Sequence, residues 1–109
     1  MAYDEHLAVQ VRSQLSRQSG VVEKRMFGGV AFLLNGNMAV GIHRDALIVR
    51  TSAEKAEAAL KESGIRVFDI TGRPMKGWLI VEPRALKEPQ ALARWIKCGV
   101  DYAASLPKK

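Results

Sequence analysis

The sequence predicts a two-layer α+β domain, an antiparallel sheet with helices packed on one face, in the order α-β-β-β-α-β-β-α. Three observations predict it. An Asn35-Gly36 pair sits between two extended apolar runs, as in a tight hairpin turn. A second polar pair, Arg44-Asp45, separates the next two strand-like runs. Apolar residues recur at helical spacing in three segments outside these runs. Helices segregated from adjacent hairpins imply two layers rather than a parallel sheet. With 109 residues, the chain fits one domain, residues 1–109.

The first helix covers Asp4 to Gln18. Asp4 suits the N-cap, and Leu7, Val11 and Leu15 make one apolar stripe. Gly20 suits the left-handed position that follows a last turn. Val21 to Phe27 reads as extended. Gly28-Gly29 then interrupts a strand pattern, which signals a bulge or a close backbone approach.

A two-residue turn at Asn35-Gly36 pairs Leu34 with Asn37 and Leu33 with Met38. Arg44-Asp45 pairs His43 with Ala46 and Ile42 with Leu47. Strict alternation then places Ala31, Leu33, Met38, Val40, Ile42, Leu47 and Val49 on one face, the expected core face. The opposite face carries Val30, Phe32, Leu34 and Ile48 among polar residues. Either the chain itself covers these four, or they form a dimer or partner face; the expectation is at least partial cover by a second copy.

The second helix opens at Thr51-Ser52-Ala53-Glu54. Thr51 has capping-box spacing to Glu54, and Ser52 is an alternative cap. Gly64 closes it. Ile65 to Ile70 is a short strand, Thr71-Gly72-Arg73-Pro74 a turn, and Gly77 to Val81 a strand stopped by Pro83. Pro89 suits the first turn of the last helix, which carries Leu92, Trp95, Ile96, Gly99, Ala103 and Leu106.

Composition limits function. The chain is 48% hydrophobic and 26% charged, as in a globular domain. No run reaches a membrane span, and the start has no signal-peptide pattern, so no membrane role and a cytoplasmic location are expected. One cysteine, Cys98, excludes an internal disulfide. The +6 charge leans toward a polyanionic partner, although such a charge also serves solubility.

Two histidines and one cysteine cannot complete a zinc set. Gly36 and Gly41 have the first spacing of a phosphate loop, but Ile42-His43 stands where Lys-Ser/Thr belongs. No catalytic, metal or cofactor residues are assigned, no small-molecule substrate is indicated, and the protein is expected not to be an enzyme. Lys24-Arg25, before Met26-Phe27, and Arg73 and Lys76, around Pro74-Met75, are the candidate nucleic-acid or partner contacts. There, cations adjoin apolar side chains able to pack on bases.

Met26-Phe27-Gly28-Gly29, Phe32, Asn35-Gly36-Asn37-Met38, Gly41 and Thr71-Gly72-Arg73-Pro74-Met75-Lys76-Gly77-Trp78 resemble the N-terminal domain of the TfoX/Sxy family. The resemblance covers nearly the whole chain. It implies a secretion-chaperone-like α/β domain in a cytoplasmic regulator of transcription, named for natural competence. It brings no catalytic or metal residues. The full regulators carry a second, helical domain after this one, and this chain stops at Lys109. The expected role is therefore a stand-alone, non-enzymatic regulatory module acting through DNA or a DNA-bound transcription regulator. The alternative is a homodimeric protein-interaction module without nucleic-acid binding.

Overall fold

Four strands, not three, precede the second helix, and this is the one change to the predicted order. The structure is a computed structural model that describes residues 3–26, 28–69 and 75–108, with the backbone alone at Met75. Helix α1 (Glu5–Leu15) leads into β1 (Val21–Met26), β2 (Gly29–Leu34), β3 (Asn37–His43) and β4 (Ala46–Arg50). Helix α2 (Ala53–Ala59), β5 (Ile65–Phe68), β6 (Met75–Val81), a 3-10 turn (Pro83–Ala85) and α3 (Pro89–Ser105) follow. The six strands form one antiparallel sheet ordered β1-β2-β3-β4-β6-β5. The turn predicted at 71–74 lies outside the described residues.

The extra strand comes from the glycine pair. Gly28 adopts φ +74°, and Met26 pairs directly with Gly29, so the chain reverses where a bulge within one strand was expected. The Asn35-Gly36 turn has positive φ at both residues, as a type I′ turn requires.

The hairpin register begins as predicted, with Leu34 opposite Asn37 and Leu33 opposite Met38. Then Phe32 pairs with Val40, so Ala39 is an extra residue on β3. This one-residue bulge reverses the face assignment for the rest of β2. Val30 and Phe32 join Val40, Ile42, Leu47 and Val49 beneath the helices. Ala31, Leu33 and Met38 leave the expected core face and join Ala46 and Ile48 on the other side.

The main core packs this first face against Leu7, Val11 and Leu15 of α1, Ala56 and Ala59 of α2, and Leu92, Trp95 and Ile96 of α3. The far face holds a second apolar cluster with Phe68 and Ile80, and the Phe68 and Trp78 ring centroids are 5.6 Å apart. No described helical residue belongs to that cluster.

Side-chain caps begin the first two helices. Asp4 accepts a hydrogen bond from the Leu7 amide at 3.1 Å, and Ser52, rather than Thr51, caps α2 by accepting from Lys55 at 3.2 Å. Arg12 holds Glu23 of β1 with two bonds of 2.7 Å, and Arg94 holds Glu62 with bonds of 2.7 and 2.6 Å. Each arginine keeps its partner carboxyl below the usual range. Asn37 is buried and donates to the Pro107 carbonyl at 2.9 Å, fastening the end of the chain to the β2–β3 turn.

Thr51 is buried too, and its hydroxyl has no hydrogen-bond partner among the described residues. Its backbone amide donates to Gly77 at 2.7 Å. Thr51→Val keeps the shape, keeps that amide bond and removes the desolvated hydroxyl. It is expected to raise unfolding free energy by about 1 kcal/mol, measured by urea denaturation. A loss of stability would show that the hydroxyl is bonded in solution.

Candidate functional site

The contact residues proposed from the sequence fall at two separate places. Lys24 and Arg25 lie on β1, the outer strand of the sheet, and both are exposed. Alternation sends Arg25 to the helix side, with Glu23, and Lys24 to the far side. Lys76 is exposed on β6, four strand positions away, about 19 Å along the sheet at ~4.8 Å per strand. Arg73 lies outside the described residues, as does Phe27.

The expected dimer face does not exist as one surface. Val30 is 1% exposed and Phe32 2%, both under the helices. Leu34 packs with Ala39 and Ala103 of α3, and Ile48 is buried in the far-side cluster. The bulge at Ala39 explains the correction, because Phe32 stays on the same face as Val40.

Lys76 borders a groove of about 380 Å³ between α2 and β6, lined by Ala56, Leu60, Val67 and Trp78. Trp78 is half-buried, and the Arg50 guanidinium lies 5.3 Å from its ring and 5.6 Å from that of Tyr102. This stacking ties the start of β6 to α3. It explains an aromatic residue in the basic turn without a nucleic base.

Sequence reasoning missed two features. One is a cleft of about 390 Å³ where His43, Arg44 and Asp45 meet Arg66 and Asp69 above Ala46, Ile48 and Ile80. The His43-Arg44-Asp45 turn was visible in the sequence; the arrival of Arg66 on β5 and of Asp69 just after it was not. Arg66 pairs with Glu82 at 3.3 Å. The other is the open edge of β1, where Val22 is 53% exposed and Met26 40%. Among the described residues no group of three or more His, Cys, Asp or Glu is placed to hold a metal ion. Among them, too, no helix is long and apolar enough to cross a membrane.

The model of the TfoX N-terminal domain matches residues 13–103. The chain belongs to that family. Comparison with curated proteins and with solved structures gives no match.

In this TfoX N-terminal domain, the glycines of the motifs serve the backbone. Gly28 makes the β1–β2 reversal at positive φ. Gly29 lies where any side chain would strike the Ile42 carbonyl of β3. Gly77 combines φ +82° with a position where a Cβ would stand 2.5 Å from the Thr51 carbonyl oxygen. These residues position strands. Lys24, Arg25 and Lys76 lie within the matched residues and are exposed, as are Arg17, Arg44, Lys55, Lys61 and Lys87.

Proposed function

We propose that this TfoX N-terminal domain is a non-enzymatic regulatory module of the cytoplasm, acting on transcription through DNA or through a DNA-bound regulator. Family membership carries the reading, since the family takes its name from regulators of natural competence. The +6 charge supports it. Lys24, Arg25 and Lys76 are among the exposed cations, with Arg17, Arg44, Lys55, Lys61 and Lys87, that join none of the described salt bridges, and they are the ones that lie in the family motifs or beside them.

The test is duplex-DNA binding at about 50 and 200 mM salt. Six or more phosphate contacts would cost at least about a thousandfold in affinity across that range. Replacing Lys24, Arg25 and Lys76 together with alanine is expected to weaken binding uniformly across sequences and to flatten the salt dependence. Should the domain ignore DNA at 50 mM, the contact is with a regulator already on DNA, and the triple variant is expected to lose that complex. A triple variant equal to the parent in both assays overturns the reading.

A further inference from the structure

The open edge of β1 carries its own complement. Among the described residues, β1 is an end strand whose ladder partner is β2. Two residues separate Met26 from Gly29, so these flanking residues form a hydrogen-bonded pair, and the pattern alternates from there. Val22, Lys24 and Met26 thus turn their amides and carbonyls toward β2. Val21, Glu23 and Arg25 turn theirs outward, to the unpaired side.

We propose that β1 pairs antiparallel with β1 of a second copy of this chain, about a two-fold axis at Lys24, joining two six-stranded sheets into one. Such an axis stands perpendicular to the sheet, so opposed residues must share a face. That leaves three registers near the middle of the strand, centred on Glu23, Lys24 or Arg25. Centring on Glu23 sets two glutamates face to face, and centring on Arg25 sets two arginines. Centring on Lys24 places Glu23 opposite the second copy's Arg25, twice, at the hydrogen-bonded positions. It also places exposed Val22 opposite the second copy's exposed Met26, twice, on the far face.

Charges on an edge strand ordinarily keep other strands away. Here the order Glu-Lys-Arg is self-complementary about its middle residue. The two Lys24 side chains meet at the axis on the exposed far face, where their long stems can diverge into water. Glu23 keeps its Arg12 partner and stands between two guanidinium groups. The pairing needs no DNA, but it engages Lys24 and Arg25, two of the three cations assigned above to DNA or regulator contact, and leaves Lys76 outside the seam.

The experiment has two readouts on the whole chain. Sedimentation from about 1 to 200 µM is expected to show a monomer–dimer equilibrium. Arg25→Glu, a change at an exposed position, is expected to raise its dissociation constant about tenfold by turning two attractions into repulsions. In a Cys98→Ala background, single cysteines at positions 23, 24 and 25 then report the register under mild oxidation. Opposed Cα atoms in a pair without hydrogen bonds are about 4.5 Å apart, within disulfide range. Lys24→Cys is expected to cross-link much faster than Glu23→Cys or Arg25→Cys. A monomer at every concentration overturns the proposal, as does faster cross-linking at 23 or 25, or equal cross-linking at all three.

Discussion

Gly99→Ala is expected to destabilise the domain by about 2–3 kcal/mol, against the ordinary sign of that change. In an exposed helix interior, alanine in place of glycine gains about 1 kcal/mol from propensity. Gly99 is buried in the middle of α3, and a Cβ there would collide with the Ala39 carbonyl and stand 2.8 Å from Val40 Cγ1. The carbonyl belongs to the bulged part of β3 and cannot retreat without disturbing the sheet. α3 must therefore lift from β3, loosening Trp95 and Ile96 as well. Urea denaturation with an unchanged m-value checks the size of the loss. A gain would mean that α3 rides higher over the sheet than the structure places it.

Gly29→Ala is expected to cost more, about 3 kcal/mol or above, enough to leave much of the protein unfolded at physiological temperature if its stability is at the low end of the usual range. The Cβ would overlap the Ile42 carbonyl oxygen and press within 3.3 Å of His43 Cα, all of it backbone. No rotamer can relieve a clash between a Cβ and a main chain. The neighbouring Gly28 makes the control. A Cβ there meets nothing within 4 Å, so Gly28→Ala costs only the strain of its positive φ, about 1 kcal/mol. Thermal denaturation of the pair is expected to rank Gly29→Ala well below Gly28→Ala. The reverse order would place the constraint in backbone conformation instead of the close approach to β3.

The elements built from neighbours in the chain were legible. Asp4 as a cap, the Asn35-Gly36 turn and the Arg44-Asp45 turn each depend on residues within a few positions of one another. The glycine pair was legible as something unusual and not as a reversal, because a bulge and a tight turn both call for glycine. Nothing in the sequence marks Ala39 as the extra residue. Its small side chain fits either face, and its packing partner Ala103 on α3 lies far along the chain. The burial of Val30, Phe32 and Leu34 was lost with it. Of the candidate contacts, exposure followed from charge, while separation of β1 from β6 is a property of strand order, which short-range patterns do not carry.

The bulge also determines which kinds of sequence change β3 can absorb. On either side of Ala39 the strand has opposite parity, so inside and outside trade places there. Replacing Ala39 with another small residue leaves that parity alone. Deleting it would join Met38 to Val40 and leave Phe32 opposite Val40 and Val30 opposite Ile42, losing only the packing of Ala39 on Leu34 and Ala103. The spare residue thus gives β3 a place where its length can shrink without exchanging inside and outside, whereas a deletion within β2, which has no extra residue, would exchange them.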